Sequence, residues 1–135
     1  MGAKEAVDIA PDDVVGAVLG YSGLSQFSSS KKFLHTNFYK FYRQGMTQCP
    51  ELFDQFVFSS GESYPFSRLL ERVLIRLQVA GVIVADNPKY RAYRMEKEER
   101  RHMIANSERR LPKYIPVLKR FGKTLAKAQK AGASE

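Results

Sequence analysis

The sequence predicts a mostly α-helical protein carrying one small β-hairpin. Apolar residues recur at helical spacing through most of the chain. One β-branched run, Val82-Ile83-Val84, directly follows a glycine at the end of the strongest helical stretch, and Asp86-Asn87-Pro88 supplies a turn back. At 135 residues and 44% hydrophobic content, the chain is sized for one core with an appended arm. The expected division is a unit over residues 1–95, including the N-terminal helices, and a C-terminal helical extension over residues 96–135.

The elements follow in order. Pro11, Asp12 and Asp13 open a first helix, because proline tolerates the first turn and carboxylates complement the positive helix end. Val14, Val15, Val18 and Leu19 give its apolar face, and glycines at 20 and 23 end it. Residues 26–30 read as a polar linker with Ser30 as the N-cap of the next helix. That second helix, residues 31–45, carries Leu34, Phe38, Phe41 and Tyr42 at i, i+4, i+7 and i+8 and stops at Gly45. At this spacing the aromatic set reads as core before it reads as a base-stacking platform. Thr47-Gln48-Cys49-Pro50 starts a short third helix, with Pro50 in its first turn and Leu52, Phe53, Phe56 and Val57 facing inward; residues 59–63 are a turn.

Residues 67–80 form the strongest helix, with Leu69, Leu70, Val73, Leu74 and Leu77 on one side and Gly81 at the cap position. The hairpin follows, its return strand over residues 90–95. A charged helix then covers residues 96–110, Pro112 breaks it, and a last helix over residues 114–130 carries Tyr114, Leu118, Phe121 and Leu125 at i, i+4, i+7 and i+11. That stripe suits pairing with a second subunit or packing back on the domain better than it suits a membrane surface.

Charge narrows the function. Lys and Arg total 22 against 14 Asp and Glu, a net of +8. Up to Phe66 there are five basic residues against seven acidic, a net of −2; beyond it, seventeen against seven, a net of +10. So concentrated a positive field points to a polyanion. The lone Cys49 excludes a disulfide framework and a multi-cysteine zinc site, and fits a reducing compartment. No apolar run approaches a membrane span and no secretory leader is expected, so the expectation is a cytoplasmic or nucleoid-associated protein. Enzyme signals are thin. His35 and His102 sit in no metal-ligand spacing, and Ser28/Lys31 and Ser29/Lys32 match a Ser-x-x-Lys spacing without its partner motifs. Cys49 before Pro50 reads as a small buried residue rather than a reactive thiol. No enzyme activity, metal or cofactor is expected.

The constellation that carries the functional reading lies on the strongest helix. Arg68, Arg72 and Arg76 fall at i, i+4 and i+8, one ridge drifting by about 40° per step. Arginine's planar fork of donors suits both guanine edges and phosphates. Lys89, Arg91 and Arg94 on the following hairpin add phosphate contacts. Glu71 beside the ridge would repel phosphate, and Ile75 would be exposed next to it, which hints at protein contact.

Here the residues carry a resemblance. The run Tyr64-Pro65-Phe66-Ser67-Arg68-Leu69-Leu70-Glu71-Arg72-Val73-Leu74-Ile75-Arg76-Leu77-Gln78-Val79-Ala80-Gly81-Val82-Ile83, followed by Lys89-Tyr90-Arg91-Ala92-Tyr93-Arg94-Met95, resembles the winged helix-turn-helix pattern over about residues 47–100. Repressors of the PadR and MarR kind are similar in this stretch and carry a C-terminal helix that pairs with a second subunit. The resemblance implies a sequence-specific DNA-binding regulator, a homodimer on double-stranded DNA, with its recognition helix in the major groove and its wing on the flanking backbone. Two alternatives stand beside it: a protein-interaction adaptor using the Ile75 face, and an RNA-binding protein in which Tyr90 and Tyr93, flanking Arg91, stack on unpaired bases.

Overall fold

A helix that is apolar on every side needs neighbours on every side, and the first helix is one. The computed structural model describes residues 9–60, 63–86 and 91–133. Helix α1, Pro11–Ser22, buries every residue from Val14 to Gly20. Gly23, at φ 71°, caps it with its N–H on the Gly20 carbonyl. Around it pack α3 (Arg68–Val79), α4 (Lys97–Arg110) and α5 (Ile115–Ala133).

Close approach is written into the contacts. A Cβ at Gly16 would collide with Met103 of α4. One at Gly122 of α5 would lie 2.7 Å from the Tyr21 carbonyl carbon and 2.8 Å from the Ser22 nitrogen. Leu118, Phe121 and Leu125 of α5 are thereby buried inside the same chain. Phe121 stacks on Phe41 at 4.8 Å and meets Phe53 edge-on at 5.9 Å, so it belongs to the core that the N-terminal helices build.

Strand β1, Gln26–Ser28, precedes α2, Lys31–Gln48, where a linker was expected. Only Phe27 of its three residues is buried, and so short a run shows no alternation. It is a strand because it pairs with β3, Ala92–Arg94, which pairs in turn with β2, Val84–Ala85. The expected hairpin is thus two strands of a three-stranded antiparallel sheet ordered β1-β3-β2, on a mostly helical protein. The turn residues Asn87 and Pro88, and Lys89 and Tyr90 after them, lie outside the described residues.

Three further boundaries differ from expectation. Helix α2 runs through Gly45 to Gln48: this glycine is not a stop but the place where the Phe53 ring lies against the helix, leaving no room for a Cβ. The third helix is only a 3-10 turn over Pro50–Leu52; Phe53 and Phe56 are buried beyond it, but Val57 is 75% exposed and does not face inward. Val82 and Ile83 are buried in the bend after Gly81, whose φ of 80° makes that bend, and the strand starts only at Val84. Ser30 does cap α2, accepting from the Phe33 N–H at 3.2 Å.

Candidate nucleic-acid interface

Helix α3 begins at a buried polar knot. Ser67 is its N-cap, and its Oγ accepts from the Leu70 N–H at 3.1 Å. The Ser67 N–H donates to Nδ1 of His35, 3.1 Å away on α2. That bond leaves the ring proton on Nε2, which donates to Glu71 Oε2 at 2.6 Å. Lys31 lies 3.7 Å from the other Glu71 oxygen, and His35 stacks on Phe66 at 4.4 Å. The Glu71 carboxylate is therefore bonded back onto α2 through His35, with Lys31 beside it.

The outer face of α3 follows from its period. At about 100° per residue, Arg68, Arg72, Ile75, Arg76 and Val79 fall within an arc of about 100°, and all five are exposed. Leu70, Val73, Leu74 and Leu77 are buried on the opposite side. Ile75 is 55% exposed and Val79 84%.

The six residues expected to touch DNA divide into three groups. Arg68 and Arg72 on α3, and Arg91 before β3, are exposed and form no ion pair with the described residues. Two others are engaged. Arg76 forks onto Asp12 of α1, Nε to Oδ2 at 2.8 Å and Nη2 to Oδ1 at 2.6 Å, and these bonds hold its pKa above the ordinary guanidinium value. Arg94 bonds Glu96 at 2.8 Å and Asp86 at 3.1 Å, and its pKa is raised by the Glu96 bond first. The sixth, Lys89, lies outside the described residues.

Comparison with family models, with curated proteins and with solved structures finds no match.

Other groups are accounted for locally. The Tyr93 hydroxyl accepts from Gln78 Nε2 at 3.2 Å, its ring meets Phe27 at 5.8 Å, and burial pushes its pKa up. Its ring is thus committed to the sheet rather than offered to a base. The Cys49 thiol is buried, and burial pushes its pKa up too, the opposite of an activated thiolate. Among the described residues no His, Cys, Asp and Glu group could hold a metal ion, and no helix is long and apolar enough to cross a membrane.

Sequence reasoning missed His35 and Val79. Val79 had a signal, lying at i+11 from Arg68 and so on the arginine face. For His35 nothing local marks its bonds to residues 32 and 36 positions away.

Proposed function

We propose that this protein is a winged-helix DNA-binding regulator that lays α3 in the major groove and sets the β2–β3 hairpin on the neighbouring backbone. The observation that carries the reading is the outward Arg68 and Arg72, without an ion pair among the described residues, on a helix followed at once by a hairpin bearing Arg91. The element order supports it, because α3 directly precedes the β2–β3 hairpin, as a reading helix followed by a wing requires. Arg68 and Arg72 address base edges, and Arg91 and Lys89 address phosphates. Arg76 and Arg94, held by carboxylates, act as scaffold. The α5 stripe is buried on α1, so it lends no support to a homodimer.

The test is retention of a randomised duplex pool at low salt by the full chain, followed by selection. Arg68→Ala/Arg72→Ala should abolish sequence preference while leaving the circular dichroism spectrum unchanged. Affinity of the parent should fall steeply with salt, with a log–log slope of about −0.9 per phosphate contacted. Equal retention of the selected duplex by the double variant at matched salt would remove these residues from the site.

The exposed Ile75 and Val79 favour a second reading, an adaptor that docks a protein on this face. It predicts no duplex affinity at low salt, and recovery of a partner whose binding weakens in Ile75→Ala.

A further inference from the structure

Two β-branched apolar side chains stand in the open on the face that carries Arg68 and Arg72, and the other polar residues of α3 are already engaged. Glu71 is bonded to His35, Gln78 donates to Tyr93 and back to the Leu74 carbonyl, and Arg76 is forked onto Asp12. What α3 holds out is therefore Arg68 and Arg72 on its first turns, and Ile75 and Val79 on its last. From Arg68 to Val79 the helix rises about 17 Å, the length of about five base-pair steps of about 3.4 Å each.

We infer that Ile75 and Val79 read thymine methyl groups, so that the DNA element this chain selects carries guanines at one end of a single major-groove site and thymines at the other. The inference rests on the proposed DNA-binding function and deepens it. In the major groove each base pair presents its own pattern, and the thymine C5-methyl is the apolar feature among otherwise polar edges. An arginine fork matches the two acceptors of guanine; an exposed isoleucine or valine has nothing to offer them, and buries a methyl instead. Adenine, which asparagine or glutamine would read, finds no free amide here, because Gln78 is engaged by Tyr93. β-Branched side chains are also stiff at χ1, so their methyl groups point outward in a nearly fixed direction before DNA arrives. The minor groove carries no such methyl and would leave both side chains against sugar and phosphate. The occupant is therefore double-stranded DNA in its major groove, drawn there by Arg68, Arg72 and Arg91.

The experiment uses the full chain and two randomised duplex pools, one built with thymidine and one with deoxyuridine, which lacks only the methyl. Duplexes selected from the first pool should be enriched in a G-rich end and a T-rich end. Replacing their thymines with deoxyuridine should weaken binding about three- to five-fold for each thymine read, the effect of one methyl returned to water. Ile75→Ala/Val79→Ala should bind the two forms equally and melt at the parent temperature, since both side chains are exposed. Deoxyuridine also alters duplex stiffness, but parent and variant feel that change alike, so the difference between their losses isolates the contact. If the parent binds thymidine and deoxyuridine duplexes equally, the inference falls while DNA binding stands. If the double variant keeps the thymidine preference, other residues read the methyls and the assignment falls. If neither pool is retained at low salt, DNA binding itself falls and takes this inference with it.

Discussion

Helices α3 and α5 are built alike and face the solvent differently. Each buries an apolar stripe, Leu70, Val73, Leu74 and Leu77 in α3 and Leu118, Phe121 and Leu125 in α5, and both are basic outside. The outer face of α5 is a ridge of lysines at 119, 123, 127 and 130, each a hydrated point charge on a flexible stem. The outer face of α3 mixes three planar guanidinium forks, the third held by Asp12, with two stiff apolar groups. A lysine ridge raises the local positive potential without distinguishing one polyanion from another. A face of forks and methyls can match a pattern. The basic surface of the C-terminal half, which also includes the hairpin and α4, therefore differs in kind between these two helices: the α5 ridge suits attraction and the α3 face suits selection.

The comparison can be broken most forcefully through α5. Phe121→Ala should cost about 3–5 kcal/mol in chemical denaturation, because the ring sits between Phe41 and Phe53 in the core. A midpoint independent of protein concentration would confirm that the stripe serves the monomer. Gly122→Ala forces a methyl against the α1 backbone and should cost about 1–3 kcal/mol. Selection should belong to α3 alone. Arg72→Ala should lose about 1–3 kcal/mol of discrimination between duplexes, whereas Lys123→Ala/Lys127→Ala should weaken all duplexes equally and lower only the salt slope. An equal loss of discrimination in both variants would erase the distinction between the two helices.

The smallest effect lies at the foot of α5. The Tyr114 hydroxyl donates to Glu51 Oε2 at 2.6 Å, and burial together with this bond pushes its pKa up to about 12. The folded state thus favours the protonated phenol. Its contribution is complete below the unfolded value near 10 and is lost as pH rises from there through about 12. The Glu51 pKa is lowered by the same bond, so its share is present above the unfolded carboxylate value and lost as pH falls through the folded one. Both groups lie at the surface, so each effect should stay below about 1 kcal/mol. Tyr114→Phe should flatten both the alkaline and the acid loss of stability relative to the parent in paired denaturation series.

What could be read from the residues was what repeats at short range. The apolar stripes of α3 and α5 and the arginine ridge recur every three or four positions, so a helical period reveals them. β1 could not be read this way: three residues, one of them buried, become a strand only when Ala92–Arg94 arrives from far along the chain. Gly45 looked like a stop because its reason for being glycine, the Phe53 ring, comes from across a turn. The same holds in the site. The i, i+4, i+8 spacing placed three arginines on one ridge, but Asp12, 64 residues before Arg76, decides that the third is held while the first two are not.

The imidazole of His35 has a consequence for how binding would proceed. One ring fastens the first turn of α3 to α2 through two atoms, accepting a hydrogen bond from the Ser67 N–H at Nδ1 and donating one to Glu71 from Nε2. Arg68 and Arg72 project from that same first stretch of helix. A ligand meeting them finds their backbone already aimed, so little conformational freedom remains to be surrendered on contact, and the interaction free energy goes into holding the ligand rather than into ordering the helix.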